Sequence, residues 1–400
     1  MAWNGPKWLV SWFNFAPEVT SNTSFPHRME IYDWTLEGDG EEMPGAVFTR
    51  EEKLEIAKAL DEVHVHRINA GMITASLPDD LDAVKAIAHL GLNAEVEAFI
   101  GVSCASIDLA LKADVSGIVM ELPSSDSWIE GSKLTRTGVV DQALETVVYA
   151  KKHGLKVTFG LQDATRADSD FLINFVASLE QTKVDAICIA DSSGVASPDG
   201  FRHLIRTVTH HTKLPIAIHC HNDFGLATAN ALAGLSSGAA IATTTVNGIG
   251  ERCGLTSLEE LAMALRLLYN VDLGIKLEKL NSLSQIVEGA TGPTISKLKP
   301  IVGERAFAWE TDAFVERTRN LMAIDRLKEA LPYKPDLVGN DFKFYPGKKT
   351  GVQGIKSEAE RLDFNLTDQQ ADQLVNKIRE LSMRKKQPSK EDFRNMLKRT

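Results

Sequence analysis

Two histidines spaced two residues apart, in Ile218-His-Cys-His-Asn-Asp-Phe-Gly225, are the side chains of this sequence best suited to holding a metal ion. They close an apolar run over residues 214–218 that reads as a strand, and period-2 alternation turns both imidazoles to one face. Two hydrogen-bonded core histidines would leave the same pattern. The surroundings point towards chemistry instead: a polar Asn-Asp-x-Gly turn follows at once, and then a small-residue helix over 226–235. The carboxyl end of a strand, just before a helix, is where parallel α/β enzymes place their sites. A second glycine-rich stretch, Thr245-Val-Asn-Gly-Ile-Gly-Glu-Arg-Cys-Gly254, lies further along. An early-strand carboxylate, Asp33, with His219, His221 and the amide oxygen of Asn247, would form a mixed nitrogen and oxygen site. Such a site suits Mn²⁺, Zn²⁺, Co²⁺ or Mg²⁺ and leaves positions open for substrate. A divalent ion there can take a 2-oxo acid by its carbonyl and carboxylate oxygens. It then stabilises the alkoxide or enolate that forms as a carbon–carbon bond is made or broken.

The elements that must position these groups recur along the chain. From residue 29, β-rich runs alternate with amphipathic helical stretches. The strand-like runs are 29–36, 66–71, 94–102, 117–122, 156–162, 186–192, 215–223 and 241–248, with helical patterns such as 50–63, 139–153, 168–181, 198–211 and 257–269 between them. The repetition predicts a closed (β/α)8 barrel, an α/β fold, over 29–272, preceded by an extension over 1–28; an open doubly wound sheet is the alternative. In a barrel, polar residues at the carboxyl ends of the strands converge on one mouth. Besides the metal candidates these include Asn69, Glu97, Glu121, Gln162, Asp163 and Ser192. Each alone reads as an ordinary loop group, and it is their recurrence at equivalent places that marks a site. After about residue 271 the rhythm stops, and 273–400 reads as a mainly helical accessory region, with helices at 277–291, 307–330 and in the 367–398 tail.

Composition bounds the partners. A net charge of −10 argues against a nucleic-acid partner, and the Arg384-Lys-Lys cluster reads as a solvated helix end. No apolar run approaches the roughly 20 residues needed to span a bilayer. Four widely spaced cysteines without a Cys-x-x-Cys pair argue for a reducing compartment. The amino terminus lacks the pattern of a secretory signal, so the expected location is the cytoplasm.

The chain resembles the 2-isopropylmalate, homocitrate and citramalate synthase family, within the barrel metallolyases that include hydroxymethylglutaryl-CoA lyase. The sharpest pieces are His219-Cys-His-Asn-Asp-Phe-Gly-Leu-Ala227 and Asn247-Gly-Ile-Gly-Glu-Arg-Cys-Gly254. Weaker pieces follow in order: Asp33-Trp-Thr-Leu36, Met43-Pro-Gly45, Asp163-Ala-Thr-Arg-Ala-Asp168, Asp191-Ser-Ser-Gly194, Pro300-Ile-Val-Gly303, Tyr333-Lys-Pro-Asp-Leu-Val-Gly339 and Gly347-Lys-Lys-Thr-Gly351. The resemblance implies condensation of an acyl-CoA with a 2-oxo acid. It makes Asp33, His219 and His221 metal ligands with Asn247 in or near the coordination sphere. Ser192 would hold the acid's carboxylate, among substrate contacts that include Gln162, Asn69 and Glu97. Gly248, Gly250 and Glu251, with Asn247, would lie by the acyl-CoA. The accessory region would reach a partner subunit's barrel in a homodimer, with Tyr333 contributed across the interface. Tyr333 or Asp163 would then handle the acyl donor's proton.

Departures from the family pattern are concentrated among charge-stabilising groups. The first-strand motif reads Asp33-Trp-Thr-Leu-Glu-Gly-Asp-Gly-Glu-Glu42, one residue longer than the family's and without its arginine. A guanidinium that stabilises enolate or alkoxide charge cannot be replaced by Glu or Gly. Gln162 and Asn69 stand where the family has acids, and Trp309-Glu-Thr-Asp-Ala-Phe314 replaces a segment with two histidines. Three explanations stay open: a synthase for a different acid or acyl donor with Arg166 or Arg136 as the replacement cation, a carbon–carbon lyase or aldolase on the same metal scaffold, or a binding homologue without turnover.

Overall fold

A computed structural model describes residues 10–292, 295–324, 326, 331–386 and 388–400. Eight parallel strands close on themselves: β1 (Glu30–Asp33), β2 (Arg67–Ile73), β3 (Glu95–Ile100), β4 (Gly117–Pro123), β5 (Lys156–Gln162), β6 (Ala186–Asp191), β7 (Ile216–Cys220) and β8 (Ile241–Thr244). The seam is sealed where Glu30 to Asp33 pair in register with Ile241 to Thr244. Each strand leads to a helix: α1 (Arg50–Val63), α2 (Pro78–Ala88), α3 (Cys104–Ala110), α4 (Arg136–Lys152), α5 (Ser169–Glu180), α6 (Pro198–His211), α7 (Ala227–Leu235) and α8 (Leu258–Leu268). This is the (β/α)8 barrel that the repetition predicts, with no open edge.

The helices start where the sequence supplies caps. Thr49 accepts from the Glu52 N–H while the Glu52 carboxylate accepts from the Thr49 N–H, a reciprocal capping box that fixes the entry into α1. Strands end sooner than hydropathy suggests. The expected run over 29–36 pairs only through Asp33, and that over 241–248 only through Thr244, after which a 3-10 turn takes over at Val246–Gly248. Apolar residues continue past the ladder there because the loops at the mouth are themselves buried.

Inside the barrel, Tyr32, Trp34, Val119, Ala186, Cys188, Ala217 and Ile241 form one apolar cluster contributed by five strands, with Phe99 against it. A charged group shares this lumen. Arg67 donates to the Glu97 carboxylate at 2.5 and 3.0 Å and to the Thr158 hydroxyl at 2.9 Å, and its guanidinium lies 4.3 Å from the centre of the Tyr32 ring. Burial alone would expel both charges, and their pairing is what holds them there.

Among the described residues the chain divides into two compact units, Phe13–Ile295, and Ser296–Thr400 together with residues 10–12. The expected boundary at 272/273 falls too early, because helix α9 (Leu280–Thr291) is tied to the barrel: the Asn247 side chain donates to the Ser284 carbonyl at 3.1 Å and accepts from its hydroxyl at 2.5 Å. The extension is not separate either, since the Ser24 N–H donates to the Ser236 carbonyl. In the second unit the expected helix over 307–330 begins late. Ala308–Trp309 (β9) pairs with Lys343–Phe344 (β10), and the helix α10 spans Asp312–Ala323; residues 325 and 327–330 lie outside the described residues. The reason is Asp312, whose carboxylate accepts from the N–H groups of Gly351, Gln353 and Gly354 and so caps α11 (Val352–Arg361). Helices α11, α12 (Asp368–Met383) and α13 (Lys390–Lys398) enclose Ile355, Leu374, Ile378, Phe393 and Leu397 as a core of their own. Among the described residues no helix is long and apolar enough to cross a membrane.

Candidate metal and active site

His219, on β7, and His221, just past its end, do converge. Their Nε2 atoms lie 3.2 Å apart, both side chains are buried, and Thr243 of β8 holds His219 Nδ1 at 2.9 Å. Two imidazoles bound to one ion at about 2.1 Å each would have their nitrogens roughly 3.0–3.4 Å apart, a range that includes the observed spacing. Burial pulls the His219 pKa down to about 3, which keeps this imidazole neutral and its lone pair ready for a cation. Trp34 packs on the same ring, with centroids 4.9 Å apart.

Asp33 does not join them. Alternation along β1 turns Tyr32 and Trp34 into the lumen, so Asp33 faces the other side. Its Oδ1 accepts from the Thr35 N–H at 3.0 Å and its Oδ2 from the Thr244 hydroxyl at 3.1 Å, and burial pushes its carboxyl up to about 7. Among the described residues no group of three or more His, Cys, Asp or Glu side chains is placed to hold a metal ion. The expected fourth donor, Asn247, is likewise committed elsewhere. Both ends of its amide are taken by Ser284, and its backbone N–H donates to Glu259 at 2.9 Å. Its φ of 62° marks it as a turn residue, a conformation that Asn tolerates. Among the described residues the two histidines are brought together, while Asp33 and Asn247, expected beside them, are turned to other partners.

The other candidates form a frame around the mouth. Asp163, with φ 57° at the end of β5, has its carboxylate gripped by Arg166 Nε at 2.8 and 3.0 Å and by the Ser125 hydroxyl. Neither partner is then available as a base or as a replacement cation: Arg166 also donates to the Ser193 hydroxyl at 2.9 Å. Arg136 is no substitute, since it pairs with Asp126 at 2.7 Å on the surface. The Asp163 N–H donates to Ser192 Oγ at 3.0 Å, which fixes that hydroxyl and leaves its own proton to donate. Gln162 donates to Glu121 of the neighbouring strand β4 at 3.3 Å, and Glu97 is committed to Arg67. Asn69, on β2 beside Glu97, is fully buried, and neither atom of its amide has a hydrogen-bond partner.

Arg252, which sequence reasoning passed over, ties three loops together. It forks onto the Asp223 carboxylate at 2.8 and 3.0 Å, donates to the Ser192 carbonyl at 2.7 Å and pairs with Glu251 at 2.6 Å. The turn it closes needs glycine at 254, where a Cβ would lie 1.9 Å from the Gly248 carbonyl oxygen, and both Gly248 and Gly250 have positive φ. Trp34 was also missed, although the alternation that turns Asp33 away from the lumen turns Trp34 into it. Tyr333 belongs to the second unit, packed edge-on to Phe307 at 5.2 Å, and burial pushes its phenol up to about 12.

Known proteins share the sequence and the fold of this chain. The family described as HMGL-like matches residues 28–287. The chain is 39% identical to the homocitrate synthase of Methanothermobacter thermautotrophicus over 93% of each chain. It is also 39% identical to a 2-isopropylmalate synthase of Sulfurisphaera tokodaii, over 89% of this chain and 91% of the relative. An (R)-citramalate synthase of Methanocaldococcus jannaschii is 38% identical over 88% of this chain and 70% of its own length. Among solved structures, the HMG-CoA lyase of Bacillus subtilis superposes with a TM-score of 0.62 at 17% identity, over 68% of this chain and 96% of the lyase, which is a likeness of fold. With a barrel that closes at β1 and β8 and two imidazoles at its seventh strand, the chain belongs to the HMGL-like family, and its curated relatives are homocitrate, citramalate and 2-isopropylmalate synthases.

Proposed function

We propose that the protein is a condensing acyltransferase that joins the acyl group of an acyl-CoA such as acetyl-CoA to the carbonyl carbon of a 2-oxo acid and releases free CoA. The observation that carries this reading is the pair of imidazole nitrogens 3.2 Å apart at the barrel mouth, in a chain whose relatives are synthases of that reaction type. His219 and His221 would hold one divalent ion, of the Mn²⁺, Mg²⁺, Zn²⁺ or Co²⁺ class, which when bound polarises the ketone. Ser192 Oγ, fixed by the Asp163 N–H, donates its proton to the acid's carboxylate and orients it. The loop from Gly248 to Glu251, pinned through Arg252, borders the acyl-CoA.

In the reaction the α-carbon of the acyl donor loses a proton and attacks the ketone carbon. The new alkoxide takes up a proton, and water then cleaves the thioester. A phenol pushed up to about 12 is protonated at neutral pH, so Tyr333, contributed by a second copy in a homodimer, serves better as the donor to the alkoxide than as the base. The four cysteines, none of them in a disulfide, favour a cytoplasmic setting.

The test is thiol release on mixing acetyl-CoA, Mn²⁺ and a panel of 2-oxo acids. Release with at least one acid supports condensation, and silence across the panel removes it. The alternative is a carbon–carbon lyase on the same scaffold; Glu37, buried at 2% exposure, stands where the resemblance places an arginine and leaves both directions open. Pyruvate release from 4-hydroxy-2-oxo acids in the absence of any acyl-CoA would favour that reading.

A further inference from the structure

Buried polar atoms without a hydrogen-bond partner gather in the barrel lumen, Tyr32 Oη and Glu97 Oε2 among them, and three of them lie on two adjoining residues. The indole N–H of Trp34 and both ends of the Asn69 amide are buried without a hydrogen-bond partner, and the two residues are 1% and 0% exposed. They belong together. The register pairs Tyr32 with Arg67 and Asp33 with Ile68, so Trp34 and Asn69 are the next residues of adjoining strands. Asn69 in turn pairs with Glu97 on β3. Both side chains face inward: Trp34 packs on Phe99 and His219, and Asn69 follows Arg67 by two residues, on the side from which that guanidinium reaches across to Thr158. Native proteins leave very few buried polar groups unserved, so a cluster of two donors and one acceptor in the lumen is a place prepared for a guest.

Position says which part of the guest. Trp34 lies against the imidazole of His219, one of the two histidines at the mouth, so an acid held there by its 2-oxo carboxylate head would send its far end towards the indole N–H and the Asn69 amide. A family acid at this position would repel an oxygen; Asn with an indole N–H beside it receives one. We infer that Trp34 and Asn69 form the specificity subsite for the acceptor's tail, and that the acceptor is a 2-oxo acid whose tail ends in an oxygen. This inference rests on the proposed condensation site. An aliphatic tail placed there would leave three polar atoms orphaned, the circumstance in which sites built to hydrogen-bond reject an analogue most strongly.

The experiment is calorimetric titration of the full chain in Mn²⁺ with three five-carbon probes: 2-oxopentanoate, 5-hydroxy-2-oxopentanoate and 2-oxoglutarate. At least one oxygen-ended probe binds about 100-fold more tightly than 2-oxopentanoate, and the hydroxyl and carboxylate arms say which oxygen is meant. Trp34→Phe, which keeps a ring in place and removes the N–H, narrows that gap about tenfold. Asn69→Leu, checked for folding by circular dichroism, narrows it further. Equal binding of all three probes, no binding of any, or a gap untouched by both variants overturns the inference and leaves the orphaned atoms to ordered water. Thiol release is read separately: discrimination without release removes only the condensation reading, and release without discrimination removes only the subsite.

Discussion

Asn247 separates two roles that the sequence runs together. If it is a latch, as its geometry indicates, then Asn247→Ala removes two side-chain hydrogen bonds to Ser284, at 3.1 and 2.5 Å, and leaves a buried carbonyl and hydroxyl without their partner. Each such bond contributes about 1 kcal/mol. Alanine must also adopt the φ of 62° that Asn holds, which costs roughly another 1–2 kcal/mol. The total is about 3–4 kcal/mol, or a fall of roughly 6–16 °C in the melting temperature of the barrel. Asn247→Gly loses the same bonds but not the strain, so it should melt about 2–8 °C above the alanine variant. Calorimetric melting read beside Mn²⁺ titration distinguishes the roles: both variants keep wild-type metal affinity while losing stability. An Asn247→Ala protein that melts like wild type but binds Mn²⁺ tenfold or more weakly refutes the latch and restores the asparagine to the coordination sphere.

Further consequences can be measured on single variants. Asp33 has a folded pKa of about 7 against an ordinary 3.8, so the native state keeps a proton that the unfolded chain has released, and stability falls as pH rises from about 4 to 7. Asp33→Asn should flatten that slope and stabilise the protein at pH 8 by at most ~4 kcal/mol, with metal binding intact; loss of metal instead would make Asp33 a ligand after all. Arg67→Met strands Glu97 in the lumen and should cost about 3–5 kcal/mol in urea unfolding, whereas the Arg67→Met, Glu97→Leu pair should recover most of it. Lys53, 2% exposed at its side chain, bridges Glu41 and Asp80 at 2.6 and 2.7 Å, so Lys53→Met should release the loop after β1 and speed its proteolysis severalfold; an unchanged cleavage rate counts against that anchoring role.

The barrel could be read from sequence because its signal is repeated: eight β-rich runs alternate with capped helices, and errors at any one boundary leave the count intact. His219 and His221 could be read because neighbours two apart on a strand must share a face. Asp33 was misassigned although the same rule applied to it, since Tyr32 and Trp34 flank it and are the bulky groups that fill the lumen. Asn247 and Asp163 were unreadable for a different reason. Their partners, Ser284 and Arg166 with Ser125, are set by left-handed turns and by a helix brought back against the barrel, and no local pattern encodes either. The late start of α10 has the same origin, because the carboxylate of Asp312 is drawn to the start of another helix.

The most direct measurement is Mn²⁺ occupancy by electron paramagnetic resonance, on the wild type and on His219→Gln and His221→Gln. The expected result is one bound ion per wild-type chain, at least a hundredfold weaker binding in each variant, and unchanged melting profiles because the barrel core does not depend on the imidazoles. Full occupancy in either variant, or collapse of the fold in both, contradicts a metal centre built on the seventh strand.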